Sequence, residues 1–304
     1  MPRTPRFLIE DQPTVYHVIS RTCLDGFPMG DVEKEYLLSL IQRFAAIYFS
    51  EIIGFCLMGN HFHLLVRMLP EGDVSDEQVL KKYQQVFDTE LVPGQRRLAA
   101  FRRKWCSLSE LMREIKQTFS RRFNRMHGRK GYFWGDRFKS VIVQDGRTLV
   151  NCLAYIDLNP IRAGIARRPE DYRWSSLGYH VQSGNEGGLL SLDFGLVDWD
   201  VADAAERLRL YREFVYRTGA LDRGQGAISR RVLERAESKN FEYSQADRLV
   251  MRTRWFTDGA IIGSKSFVRE AGRRLGLPGA DKRRPREIQG LEECFALRGL
   301  RELL

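Results

Sequence analysis

The stretch 59-GNHFHLLVR-67 decides how this chain is read. It sets two histidines one residue apart in an otherwise apolar run. Val, Ile or Leu would pack there without leaving ring nitrogens that need partners. Side chains alternate between the faces of a strand, so His61 and His63 point the same way, their Cα atoms ~6.5–7 Å apart. Phe62 and Leu64 take the opposite, buried face. Two imidazoles so placed are either satisfied core residues or a pair converging on one divalent ion. The spacing alone leaves both open.

Working outward, 51-EIIGFCLM-58 reads as a strand, and Gly59-Asn60 as a tight turn into 61-HFHLLVRM-68, which makes a β-hairpin. Residues 14-TVYHVISR-21 alternate and are rich in β-branched side chains, so they predict another strand. Residues 32–49 follow Asp31, a candidate N-cap, and place Leu37, Leu40, Ile41, Phe44 and Ile47 at helical spacing. Residues 71–104 are polar and weakly periodic, as an insertion would be. Ser107 and Glu110 form a capping-box signature. The helix they open has a stripe of Leu108, Leu111, Met112, Ile115, Phe119, Phe123 and Met126, and Gly128 ends it. Residues 137-RFKSVIV-143 alternate as a strand. A helix runs from about Thr148 to Asn159, with Pro160 as its stop.

The order β-α-β-β-α-β-α predicts an α+β fold, a ferredoxin-like (RRM-like) antiparallel sheet with helices on one face. After 172-YRWSS-176 the character changes. The Gly-rich, then acidic stretch 183-SGNEGGLLSLDFG-195 marks a boundary between a domain at 1–182 and a mainly helical extension at 183–304. That extension carries a basic cluster of Lys265, Arg269, Arg273, Arg274, Arg283 and Arg284.

A chain of 304 residues can bury a sizeable core, as one large domain or two. Its hydrophobic content of 43%, with 18 Phe and 11 Tyr, excludes global disorder. Five scattered cysteines form no CxxC pair, which fits a reducing compartment and argues against a zinc ribbon. The first residues, MPRTPRFLIEDQP, lack the apolar core of a signal peptide. The most apolar run, 44-FAAIYFSEIIGFCLM-58, is broken by Ser50 and Glu51 and is too short to span a bilayer. These features predict a soluble, cytoplasmic protein.

The net charge of +10 points to a polyanionic partner, although charge alone does not separate nucleic acid from an anionic membrane. Residues 101–140 hold twelve Lys/Arg against three Asp/Glu. Arg113, Lys116, Arg121, Arg122, Arg125, Arg129, Lys130, Arg137 and Lys139 are therefore candidates for a phosphate backbone, the alternative being a solvated basic face. The aromatics of 132-YFWGDRF-138 either stack on unpaired bases or sit in the core, and Trp134 is expected in the core. His17, His127 and His180 stand alone, with no chemistry assigned. A second constellation lies in 153-LAYIDLNPIRAG-164, where Tyr155 and Asn159 are four apart on one helix face. Leu149, Leu153 and Ile156 take the apolar face, and Asp157 turns away from Tyr155.

Three segments together, "MGNHFHLLVR", "ELMREIKQTFSRRFNRMHGRKGYFWGDRFKS" and "YIDLNPIRAGI…PEDYRWSS", resemble the HUH single-tyrosine (IS200-like) transposases, most of all the REP-associated tyrosine transposases. The resemblance covers roughly residues 10–180. It implies that His61-Phe62-His63 is the HUH pair, Tyr155 the nucleophile and Asn159 the third ligand of a Mg²⁺ or Mn²⁺ ion. Arg162 joins the DNA-binding candidates. The implied activity is cleavage and rejoining of hairpin-bearing single-stranded DNA through a 5′-phosphotyrosine, with no membrane partner, by a monomer or homodimer. Two other readings are a metal-dependent nuclease using activated water and a non-catalytic hairpin-binding protein; intact His, Tyr and Asn disfavour the latter. The insertion at 71–104 and the chain beyond 183 exceed the family's minimal pattern.

Overall fold

A computed structural model describes residues 7–185, 187–192, 201, 203–220, 227–228, 259–276, 285–287 and 294–298. Its centre is β1 (Thr14–Arg21), paired antiparallel on one side with β3 (His61–Met68) and on the other with β4 (Lys139–Val143). β2 (Ser50–Leu57) forms the expected hairpin with β3. Helix α1 (Asp31–Ile47) connects β1 to β2, and α4 (Leu108–Met126) precedes β4. The N-cap of α1 is Gly30 rather than Asp31; its N–H donates to Glu33 Oε2 at 3.0 Å, which satisfies one end-of-helix donor.

The α+β class holds, but the sheet is covered on both faces. Even-numbered residues of β1 and β3 (Tyr16, Val18, Phe62, Leu64, Val66) pack with α1 and α4. The odd-numbered face (Val15, Leu65, with Val141 and Val143) packs under α5 (Arg147–Asp157) and α7 (Ser176–Ser183). A one-sided sheet was expected from the order of elements, and this odd-numbered face also carries the polar His17, His61 and His63. The helix above removes most of that polar face from solvent.

Other expectations shift locally. The helix carrying Tyr155 ends at Asp157, and a separate turn of helix, α6 (Asn159–Arg162), follows with Pro160 inside its first turn. Proline is tolerated there because a first-turn N–H has no helical partner. Met126, placed in the buried stripe of α4, is 53% exposed. The insertion at residues 71–104 is mostly two helices, α2 (Asp76–Phe87) and α3 (Gln95–Trp105), joined by ring contacts among Tyr83, Phe87, Phe101 and Trp105.

The boundary at 182/183 does not end the sheet. Helix α8 (Ala204–Ala220) packs on α5. β5 (Gly259–Gly263) pairs in parallel with β4, and β7 (Phe295–Arg298) and β6 (Arg286–Glu287) follow it. The sheet is therefore mixed, in the order β2-β3-β1-β4-β5-β7-β6. The strands are what the expectation of a mainly helical extension lacked. α9 (Lys265–Arg274) carries part of the predicted basic cluster, and Arg274 is held by Gln12 and Asp11. Arg283 and Arg284 lie outside the described residues.

Two contacts fix α5 against its neighbours. At Gly54 of β2, a Cβ would lie 2.1 Å from Leu153 Cδ1 and 2.8 Å from Ser176 Oγ, so only a bare backbone lets α5 come this close. At the end of α5, the buried Asp157 accepts from Leu177 N–H at 3.0 Å and from the Tyr211 hydroxyl of α8 at 2.6 Å.

Burial pushes the Asp157 carboxyl up to about 6, against hydrogen bonds from Tyr211 and Leu177 that pull it down. A folded value above the unfolded one means that Asp157 favours the folded state when protonated. Its contribution is full below about pH 4 and is lost as pH rises through about 6. Asp157→Asn, neutral throughout, should gain on the order of 2–3 kcal/mol relative to wild type between pH 4 and 7. Urea unfolding at both pH values measures this; an identical pH trend in both proteins would refute the assignment.

Candidate active site

The hairpin and α5 bring three sequence candidates together. His61 and His63 share the odd face of β3, with ring centroids 5.2 Å apart. The Tyr155 ring approaches from α5, its centroid 5.9 Å from that of His63 in an edge-to-face arrangement. Tyr155 is 8% exposed, and Arg162 lies over its ring at 5.0 Å while donating to the Tyr155 carbonyl at 3.0 Å. Nucleophile candidate and histidine pair thus face each other within one chain.

Asn159 is one turn beyond Tyr155, but its amide folds back. Nδ2 donates to the carbonyls of Tyr155 at 2.9 Å and Ile156 at 3.1 Å, satisfying the open end of α5. That leaves Oδ1 as the atom of this side chain suited to a cation.

Both histidines are held neutral. Burial, then the nearby Arg21, lowers His61 to about 4. Burial, then His17, His61 and Arg162, keeps His63 well below the ordinary imidazole range. Neutral rings are what metal ligation requires. His61 Nδ1 lies 2.7 Å from Asn60 Oδ1, which only accepts, so its hydrogen sits on Nδ1 and its lone pair on Nε2.

The sequence reading missed His17. It is fully buried on β1, with Nε2 2.9 Å from His63 Nδ1 and its ring 6.1 Å from that of Tyr155. Its direct cross-strand partner is Leu65; His63 lies on the diagonal, on the same face. The signal was the odd-numbered parity it shares with His61 and His63 once β1 and β3 are paired. His127, by contrast, meets Glu33, and His180 lies buried on α7. Among the described residues, no three His, Cys, Asp or Glu side chains cluster as a metal site. A divalent ion here would need the His61 and His63 nitrogens completed by Asn159 Oδ1 or other oxygens; the chemistry of those donors fits.

The basic residues divide into two groups. Arg113, Lys116, Arg121, Arg122 and Arg125 sit on α4, across the sheet from Tyr155. Arg121, Arg122 and Arg125 line an open cleft of about 370 Å³ with Tyr36, where Arg122 stacks 4.2 Å over the tyrosine ring. Arg113 is paired with Glu110, and Lys116 donates to the Asp136 carbonyl at 2.8 Å. Arg129, Lys130 and Arg137 lie on the segment from α4 to β4, and Lys139 opens β4. That segment is tied to the end of β1: Cys23 N–H and the Thr22 hydroxyl both donate to the Phe133 carbonyl. Arg21, on the same end of β1, is the cross-strand partner of His61. A basic path therefore leads from α4 around the sheet's edge to the histidines. Phe133, Trp134 and Phe138 are core, whereas Tyr132 is 88% exposed. Phe27, 78% exposed, leans on Gly59 at the hairpin turn.

No family model matches the chain. It is 27% identical over 162 residues to a Haemophilus influenzae protein named as a REP-associated tyrosine transposase, an alignment covering 51% of this chain and 78% of that protein. A solved structure of a REP-associated tyrosine transposase bound to a REP hairpin aligns with a TM-score of 0.42 at 18% identity, covering 64% of this chain and 90% of the other. Among the described residues, no helix is long and apolar enough to cross a membrane. Over about half its length this chain is thus similar to a REP-associated tyrosine transposase, the family that its His61-Phe62-His63 strand and Tyr155–Asn159 helix end resemble.

Proposed function

We propose that the protein is a cytoplasmic DNA strand transferase that cuts and rejoins hairpin-bearing single-stranded DNA such as REP elements. The observation that carries this reading is the meeting of the Tyr155 ring with the His61/His63 pair, from elements about ninety residues apart in sequence. A lone tyrosine packed in a core needs no imidazole pair beside it.

In the reaction, the Tyr155 oxygen attacks the scissile phosphorus while the bond to the 3′-oxygen breaks. The phenolic proton ends on that 3′-oxygen, leaving a 5′-phosphotyrosine and a free 3′-OH. Free tyrosine has a pKa of about 10, so the proton leaves as the P–O bond forms. The phosphodiester energy is kept, and rejoining needs no nucleotide cofactor. His61, His63 and Asn159 would hold Mg²⁺ or Mn²⁺, which when bound offsets charge developing on the phosphate. Arg162, over the Tyr155 ring, keeps the aromatic edge in place and offers a cation beside the entering phosphate. Tyr132 and Phe27 offer exposed rings for unpaired bases beside the basic path.

The test is incubation with labelled hairpin-bearing single strands and Mn²⁺, followed by denaturing electrophoresis. A covalent protein–DNA band that EDTA removes is expected. Cleavage without any adduct would favour a hydrolytic nuclease, and binding with neither would favour a non-catalytic hairpin binder.

DNA affinity should also fall steeply with salt through counterion release. Neutralising Arg121, Arg122 and Arg125 together should weaken binding and lower the slope of log K against log salt by about 2, without stopping cleavage at saturating DNA. Affinity that stays flat from low to high salt would contradict the role given to this basic face.

A further inference from the structure

His17 and His63 are buried neighbours, and the hydrogen bond between them can run in only two directions. Two neutral imidazoles 2.9 Å apart through His17 Nε2 and His63 Nδ1 share one hydrogen. If His17 Nε2–H donates, the His63 hydrogen must sit on its own Nε2, and that nitrogen has no lone pair. If His63 Nδ1–H donates, His63 keeps an open lone pair on Nε2. His61 breaks the tie. Its Nδ1 is on the Asn60 oxygen, so it already presents Nε2. Two rings on one face of β3, 5.2 Å apart, can turn lone pairs to a shared ligand only if His63 has the same tautomer.

We infer that His17 is a positioning residue: its Nε2 accepts from His63 Nδ1 and fixes the tautomer and ring plane in which His63 Nε2 faces the site, as Asn60 does for His61. The inference rests on the strand-transfer reading for its purpose. The hydrogen-bond direction rests on the 2.9 Å contact together with the requirement that both His61 and His63 present a lone pair to one ligand. The cost of His17 is plain, since a hydrophobic side chain at this fully buried position, beside Val15 and Val141, would pack without a polar group to satisfy. The two rings meet nearly end to end, their centroids 5.1 Å apart and their planes 21° apart, as a hydrogen bond lying in the plane of both rings requires.

The direction can be read without metal or DNA. The full chain has five histidines, few enough for long-range ¹H–¹⁵N spectra of the labelled protein to resolve each tautomer, with His63→Gln assigning the His63 signals. His63 should carry its hydrogen on Nδ1. A hydrogen on Nε2 would overturn the inference whatever the variants do.

The role is then read in His17→Leu, which fills the space without an acceptor, and His17→Gln, whose side-chain oxygen reaches the same neighbourhood. His17→Leu should bind Mn²⁺ about 10–100-fold more weakly, as loss of a group that orients a metal ligand typically does, with a parallel loss of adduct rate. His17→Gln should recover most of both. Mn²⁺ affinity within twofold of wild type in folded His17→Leu, or no recovery in folded His17→Gln, would sink the positioning role. Should wild type form no adduct, the strand-transfer reading fails while the tautomer result still stands or falls separately.

Discussion

Tyr155→Phe will fold, bind metal and bind hairpin DNA, and will form no covalent protein–DNA adduct. The substitution deletes one oxygen from a ring that the fold otherwise keeps. The contact with His63 at 5.9 Å and the Arg162 cation above the ring both depend on the ring, not on its hydroxyl. Stability should therefore stay within about 1 kcal/mol of wild type by thermal unfolding. The lost oxygen is the atom that would bond to phosphorus, and water has no equivalent place on α5. Adduct and strand transfer should drop below detection while DNA affinity stays within about twofold. An adduct that persists in Tyr155→Phe would identify another tyrosine as the nucleophile, and peptide mapping of the phosphotyrosine would then name it.

A chain ending at residue 182 will not keep a native active site, although the motifs all precede that point. The reason lies in what crosses the boundary. Tyr211 donates to the buried Asp157 at 2.6 Å, and Tyr216 donates to Glu170 at 2.7 Å with Arg212 paired to the same carboxylate. Removing α8 strips partners from two buried acids, each at a cost of roughly 1–3 kcal/mol. It also uncovers the apolar side of α5 where Val215 and Tyr211 pack. Loss of β5 further turns β4 into an open edge. Cooperative unfolding of the truncated chain should be lost or fall by well over 10 °C, in keeping with a loss of several kcal/mol. A truncated chain that melts with wild-type cooperativity and forms the adduct would show that residues beyond 183 are a separable unit after all.

The hairpin, the two flanking strands and both long helices were legible because each is a local pattern: alternation in 14–21 and 61–68, and 3.6-residue recurrence in 108–123. The pairing of His61 with His63 is local too, since two residues along one strand fix it. His17 was not legible, because its meaning depends on the register of β1 against β3, which joins residues forty-six apart. The second helical layer escaped for a related reason. A face holding His17, His61 and His63 reads as solvent-exposed until α5 is laid over it. β5 is a five-residue segment of Gly, Ala and Ile whose partner lies more than a hundred residues earlier, and no periodicity announces a parallel pairing of that kind. Asn159 lies one turn beyond Tyr155, but α5 ends at Asp157, so Asn159 opens the next helix and its amide bonds back to the end of α5.

Gly54 gives the site an unexpected control point. The span between Tyr155 and the histidines is set by how closely α5 can lie on the sheet, and at Gly54 that clearance is a single missing methyl group, far along the chain from any reacting atom. A methyl there acts as a shim. It would lift Leu153 and, with it, the next residues of the same helix, moving the Tyr155 ring relative to His61 and His63 without altering any of those side chains. In the proposed reaction that reach would be a manufacturing tolerance held by β2, and a designer wishing to slow the proposed cleavage while sparing DNA binding would work on that strand.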